Sequence, residues 1–108
     1  GVVILADPLF NSEAGRLAML AAKYRLPLMG TINNVPDSGG LMSYGANRPD
    51  LIRRAAALVD KILKGAKPAD LPVEQPTKFD LVLNKRTARD LGIKIPNSIL
   101  VQATKVIE

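Results

Sequence analysis

The chain has 108 residues, 47% of them hydrophobic, which suffices for one modest core and limits the sequence to one domain. It contains neither cysteine nor histidine, so disulfides, thiolate metal sites and the commonest general bases are excluded. The formal net charge is +5, but the lysines and arginines are scattered and only four aromatic residues accompany them, which argues against a nucleic-acid partner.

The first third of the sequence predicts a β-α-β unit. Residues 2–6 are a continuous aliphatic run, typical of a strand that is buried on both faces by helices. Between residues 12 and 25 apolar side chains recur at helical spacing, which predicts an amphipathic helix capped by Asn11 or Ser12. Residues 28–32 form a second apolar run, and two parallel strands joined by a helix require a right-handed crossover.

The middle third predicts a loop, a short strand and the longest helix. Residues 33–40 collect the residue types that interrupt regular structure, and residues 41–44 have the composition of a third strand. Asn47 is placed to cap the next helix, with Pro49 favourable in its first turn. An apolar stripe follows, and Gly65 can take the left-handed conformation that ends the helix.

The last third predicts an extended crossover, a strand and a short helix. Three prolines between residues 67 and 76 exclude a central strand. Residues 79–83 are strand-like, Asn84 can cap a helix that Gly92 ends, and residues 99–101 are a candidate last strand. We therefore predict an α/β fold with a parallel sheet. Residues 1–66 form its α/β core, and residues 67–108 form a crossover and C-terminal segment of the same domain.

Three loops at the carboxyl ends of the predicted strands form the candidate binding site, because ligands bind there in open α/β sheets. Their composition suits a zwitterionic small molecule: amides and hydroxyls for a carboxylate, Asp7 for an ammonium group, and Phe10 or Tyr44 for an apolar side chain. The predicted ligand-binding residues are Asp7, Asn11, Ser12, Tyr44, Gly45 and Asn47. We predict no catalytic residue, metal or cofactor, since no nucleophile is paired with a base.

These residues also have purely structural interpretations. The asparagines and the serine can serve as helix caps alone, and Asp7 can simply end a strand before Pro8. Both aromatic rings can belong to a core or an interface. Two other functions are possible: a carboxylate-dependent or flavodoxin-like enzyme that uses the same loops with Asp7 or Asp37, and a self-associating α/β module that binds no ligand and dimerises through an exposed surface.

Five segments of the chain resemble one family. They are ADP at 6–8, GGLMSYG at 39–45, KILKGAKPADLP at 61–72, VEQPTKFDLVLN at 73–84 and TARDLGIKIP at 87–96. Together they resemble the ABC-transporter substrate-binding proteins related to the tryptophan and tyrosine importers, which have the type I periplasmic binding protein fold. The motifs are long and run almost without a break through the second half of the chain.

The resemblance implies that the chain is the C-terminal part of a two-lobed, non-enzymatic protein. Such a protein captures a small solute, such as an amino acid, in the periplasm or another extracytoplasmic space and delivers it to an ABC permease. The signal sequence and the N-terminal lobe would then precede Gly1. Residues 67–76 would cross between lobes, and the following residues would pack on the missing lobe or on a partner chain. We therefore expect the isolated chain to form a homodimer.

Overall fold

The computed structural model describes residues 1–108. Five strands form one sheet in the spatial order β1-β2-β3-β4-β5. The strands are β1 (Val2–Ile4), β2 (Leu28–Gly30), β3 (Met42–Ala46), β4 (Phe79–Asn84) and β5 (Lys105–Ile107). The helices are α1 (Pro8–Ser12), α2 (Ala14–Lys23), α3 (Asn34–Asp37), α4 (Arg48–Leu63), α5 (Lys85–Asp90) and α6 (Asn97–Leu100), with a 3-10 turn at Pro68–Asp70. None of the helices has the length and apolar content of a membrane-spanning segment.

The sheet is mostly parallel, which confirms the predicted α/β class. β1 pairs with β2, β2 with β3, and β4 with β5, all in parallel. β3 and β4 run in opposite directions. This is shown by the hydrogen bond from the amide of Asn84, at the end of β4, to the carbonyl of Leu41, just before β3 (2.9 Å). The last two strands are therefore reversed relative to the first three, so β4 begins at the edge of the sheet where β3 ends.

The chain divides into two compact units. The first comprises residues 1–45 and 80–108 and contains most of the sheet with five of the six helices. The second comprises residues 46–79 and contains α4 and the proline-rich segment. The division at residues 66 and 67 that we inferred from the sequence stays a prediction.

The core of the first unit lies between α2, α3 and one face of β1 and β2. Its buried side chains are Ile4, Ala14, Ala18, Ala21, Leu28 and Val35. The other face of β1 is open: Val3 is 62% exposed, so the prediction of a strand buried on both faces is wrong. When successive parallel strands are added in one direction across a sheet, right-handed crossovers place the connecting helices on the same face of the sheet. α2 and α3 both lie on the core face.

The one-turn helix α3 lies within the stretch that the sequence predicted to be a loop. Val35 of this helix is buried against glycine backbone. A Cβ on Gly30 would collide with the Val35 side chain, and a Cβ on Gly40 would lie 2.9 Å from the Val35 carbonyl oxygen. Residues 31–41 connect β2 to β3, and the four residues of α3 are the only helical ones among them.

Two predicted helix starts are confirmed. The Asn47 side chain accepts from the amide of Asp50 (2.8 Å) and caps α4. The Asn84 side chain accepts from the amide of Thr87 (3.0 Å) and caps α5. The predicted helix ends are confirmed as well, since Gly65 and Gly92 have positive φ values of 107° and 71°.

Two other local predictions are wrong. The helix expected over residues 12–25 is divided at Glu13 into α1 and α2, and neither Asn11 nor Ser12 caps it. Asp7 is the cap of α1, because its Oδ1 accepts from the amide of Leu9 (2.8 Å). Residues 99–101 lie in α6 and the turn after it, and the last strand is β5. Pairing of β5 with β4 depends on distant residues, which a short apolar run does not reveal.

In the second unit, a buried carboxylate anchors the start of α4. Asp50 accepts from Arg54 Nε at 3.0 Å and lies 3.6 Å from Lys78 Nζ and 3.7 Å from a guanidinium nitrogen of Arg53. Arg54 also donates to the hydroxyl of Thr77. These contacts tie the first turns of α4 to the end of the proline-rich segment, and Asp50 additionally complements the positive end of the helix dipole.

Asn84 provides a test of how the first unit is held together, because its side chain is 6% exposed and has two partners. Besides capping α5, its Nδ2 donates to the carbonyl of Pro36 in α3 (2.9 Å). In the full-length protein, Asn84→Ala removes the cap and one of the two hydrogen bonds to the Pro36 oxygen, which also accepts from the amide of Gly39 (3.1 Å). We expect the free energy of unfolding, measured by chemical denaturation, to fall by about 2 kcal/mol.

Asn84→Ser keeps a capping oxygen and loses the amide donor, so an intermediate loss is expected. The control is Asn97→Ala in α6, where the asparagine is exposed and a change within about 0.5 kcal/mol is expected. Equal effects at positions 84 and 97 would contradict the anchoring role of Asn84.

Candidate ligand-binding site

The carboxyl ends of β1, β2 and β3 lie at one edge of the sheet, because the three strands are parallel neighbours. This carboxyl edge carries α1 after β1, residues 31–34 after β2, and the end of β3. It therefore brings together five of the predicted site residues: Asp7, Asn11, Ser12, Tyr44 and Gly45. Asn47 belongs to the second unit, where its side chain caps α4.

Two of the residues in α1 serve the helix itself. Asp7 uses Oδ1 as the cap, which leaves Oδ2 able to accept from a cation. The Ser12 hydroxyl donates to the carbonyl of Leu9 (2.9 Å), so it is already engaged in the last turn of α1. The structural interpretation thus accounts for Ser12, whereas Asp7 combines capping with an exposed carboxylate oxygen.

Hydrogen bonds join the loops that follow β1 and β2. Asn34 Nδ2 donates to the carbonyl of Asn11 (3.0 Å) and also to its side-chain oxygen. A second group joins the loop after β2 to β3 and β4: Asn33 Nδ2 donates to Asp80 Oδ2 (3.3 Å), and the Ser43 hydroxyl donates to Asn33 Oδ1 (3.4 Å). Amide side chains therefore connect the loops after β1 and β2 to each other and to β3 and β4.

Sequence reasoning missed Asp80 and Thr31 as residues of this edge. Asp80 is buried at the start of β4, which reaches the carboxyl edge only because β4 is antiparallel to β3. A charged residue near the start of an otherwise apolar strand, FDLVLN, was the available signal. Thr31 directly follows β2, and a single threonine after an apolar run is too common to single out.

Tyr44 and Gly45 have different roles at the end of β3. Ser43 is buried on the core side, so the alternation of side chains along a strand directs Tyr44 to the open face, where it is 50% exposed. Gly45 permits a close approach of two backbones, because a Cβ at this position would collide with the carbonyl oxygen of Thr31. Tyr44 thus presents an aromatic surface, and Gly45 holds the second and third strands together at the edge.

A cavity of about 570 Å³ in the first unit lies at the opposite edge of the sheet, between α2 and α5. Polar groups that line it are engaged with one another: Arg25 donates to the carbonyl of Asp90 (3.3 Å), and the Thr87 hydroxyl donates to the carbonyl of Gly39 (3.0 Å). No group of three or more acidic side chains that could hold a metal ion is present anywhere in the chain. The polar groups at the carboxyl edge are exposed and only partly hydrogen-bonded, which favours this edge over the cavity as the candidate site.

Gly45→Ala tests the close approach at this edge. In the full-length protein, the added methyl group forces β3 away from Thr31, and we expect the free energy of unfolding to fall by about 2 kcal/mol. The matched control is Gly15→Ala in α2, where a Cβ meets nothing within 4 Å. That substitution should raise the free energy of unfolding by about 0.5–1 kcal/mol through helix propensity. Chemical denaturation measures both, and a neutral Gly45→Ala would contradict the packing described here.

Comparison with known proteins adds family membership to this geometry. Residues 1–107 match the family described as ABC transporter substrate binding protein. A conserved domain protein from Vibrio cholerae O1 biovar El Tor is 30% identical with a TM-score of 0.89, over 96% of this chain and 35% of that chain. The ABC domain from Streptococcus pneumoniae, solved in complex with L-Trp, is 32% identical with a TM-score of 0.88, over 97% and 36%.

A third structure shares the fold alone. It is the ligand-free, open form of a substrate-binding protein with adhesive properties from Clostridium difficile, 22% identical with a TM-score of 0.69, over 97% of this chain and 35% of that chain. No curated protein sequence matches the chain. The chain spans about a third of the length of each solved structure that it matches. With a family match over residues 1–107, the chain belongs to the ABC transporter substrate binding protein family.

Proposed function

We propose that the protein containing this chain is the solute-binding component of an ABC import system and captures an amino acid or a similar small molecule. One observation carries the proposal: the carboxyl edge carries both a half-exposed aromatic ring, Tyr44, and a set of amide and carboxylate groups. Family membership supports the same function, and a 32% identical relative was solved with L-Trp. In this proposal the carboxyl edge forms one wall of the cleft, and the rest of the protein supplies the other.

The available groups suit the parts of an amino acid. Asp7 Oδ2 can accept from an ammonium group, and the exposed amide of Asn33 can donate to a carboxylate. Phe10 and Tyr44 are both substantially exposed and can cover an apolar side chain. Most of these groups are neutral amides or rings, so binding depends on hydrogen bonds and apolar contact more than on net charge.

The proposed role is capture and delivery without a chemical step. The loops at the carboxyl edge hold no cysteine, no histidine and no group of acidic side chains that could bind a metal ion. Exposed polar groups around an open edge are suited to reversible binding. The proposal includes an extracytoplasmic location and an ABC permease as the partner that receives the solute. The alternative, a self-associating α/β module without a ligand, stays a prediction, as does the homodimer of the isolated chain.

Calorimetric titration of the full-length protein with L-tryptophan, L-tyrosine and a panel of other amino acids tests the function. We expect saturable binding of at least one of them. Tyr44→Ala should then weaken that affinity about tenfold, equivalent to about 1.4 kcal/mol, because the aromatic contact is lost. Tyr44→Phe keeps the ring and should retain most of the affinity.

Arg86→Ala is the matched control for the titration. Arg86 is exposed and lines the cavity at the opposite edge of the sheet, so its removal should leave the affinity unchanged. Thermal unfolding of each variant shows whether it is folded, and a bound ligand should raise the unfolding temperature by mass action. A folded Tyr44→Ala protein with unchanged affinity would contradict a binding site at the carboxyl edge.

A further inference from the structure

Two buried polar atoms at the carboxyl edge have no hydrogen-bond partner: Thr31 Oγ1 and Asn34 Oδ1. Both residues line one small cavity of about 10 Å³. The remaining wall is formed by Ile4, Leu5, Phe10, Asn11, Ile32 and Val35. Leaving a buried donor or acceptor unpaired costs about 1–3 kcal/mol, so two such atoms on residues that line the same cavity indicate a missing partner.

Contacts on either side hold both orphaned atoms in place. Asn34 Nδ2 donates to two oxygens of Asn11, and a flipped amide would set oxygen against oxygen, so Oδ1 must be directed away from Asn11. The backbone of Thr31 is held by the close approach of Gly45, where no side chain fits. Asn34 Oδ1 can only accept a hydrogen bond, whereas the Thr31 hydroxyl can donate or accept.

We propose that this cavity is a subsite for a single hydrogen-bond donor of one heavy atom, either an ordered water molecule or the amine or hydroxyl tip of the captured solute. A volume of about 10 Å³ is at the lower limit for one water molecule and leaves no room for a larger group. The acceptor Asn34 Oδ1 repels a carboxylate oxygen. The solute source rests on the proposed function, whereas the water source does not.

The subsite has a consequence for the orientation of the solute. The ammonium group of a zwitterionic ligand can enter this cavity whereas its carboxylate cannot, so the carboxylate has to bind outside the cavity, for example at the exposed amide of Asn33. If water fills the cavity instead, it completes the hydrogen bonds of Thr31 and Asn34. The solute then contacts a surface whose hydrogen bonds are already satisfied. Either source makes the loop after β2 a determinant of the shape of the site.

Crystal structures of the full-length protein, without ligand and with L-tryptophan as the probe, distinguish the two sources. A density peak within hydrogen-bond distance of Thr31 Oγ1 and Asn34 Oδ1 in both structures supports water. A nitrogen atom of the probe at that position in the second structure only supports the solute. A cavity that is empty in both structures overturns the proposal. If no amino acid binds, the proposed function fails, and the ligand-free structure still decides whether the cavity is a donor site.

Thr31→Val replaces the hydroxyl by a methyl group of similar size, and Thr31→Ser keeps the hydroxyl. If water is the donor, Thr31→Val should lose the density peak and Thr31→Ser should keep it. If the solute is the donor, Thr31→Val should weaken L-tryptophan binding about tenfold and leave the binding of 3-indolepropionate, which lacks the amine, unchanged. Unchanged density together with unchanged affinity in Thr31→Val would overturn the subsite.

Discussion

Val35 lies against bare backbone on two sides, because Gly30 and Gly40 have no Cβ to fill the space. This contact allows residues 31–41 to connect β2 to β3 with a single helical turn, where the helix of a parallel crossover is usually longer. The short connection places Asn33 and Asn34 directly at the edge of the sheet. It also brings the carbonyl of Pro36 within reach of Asn84, which starts α5. The loops of the candidate site and the attachment of α5 therefore both depend on where α3 lies.

The sequence predicted those features that depend on neighbouring residues. Asn47 and Asn84 were identified as helix caps because a capping side chain contacts an amide only three residues ahead. The same holds for the helix ends at Gly65 and Gly92, which need no information beyond the backbone conformation of one residue. Fold class followed from the alternation of strands and helices along the chain.

Features that depend on distant residues were missed or misjudged. The reversal of β4 and β5 is recorded only in contacts such as Asn84 to Leu41, and a strand at residues 99–101 was as plausible locally as the helix that forms. At the site, polar loop residues were found because they follow apolar runs. Asp80 was missed because it reaches the site through the reversed strand, and Thr31 because its significance lies in an absent partner.

More of the polar side chains at the carboxyl edge are hydrogen-bonded within the protein than the composition of the loops suggests. Asp7 and Ser12 serve α1, while Asn34 and Asn11 bind each other. A ligand at this edge thus meets groups whose orientations are already set by hydrogen bonds, and little side-chain entropy remains to be lost on binding. Such preorganisation favours discrimination among solutes of similar size, because a misplaced donor or acceptor cannot be accommodated by rotation of the side chains.

The position of Tyr44 has an optical consequence. Residues 1–108 contain no tryptophan and only two tyrosines, and the other one, Tyr24, follows α2 at the opposite edge of the sheet with Lys23 Nζ 5.6 Å from its ring centroid. Tyrosine emission overlaps the absorption of indole. Tyr44 is thereby a built-in fluorescence donor at the rim of the candidate site, able to report the arrival of an indole-bearing molecule by energy transfer without any attached dye.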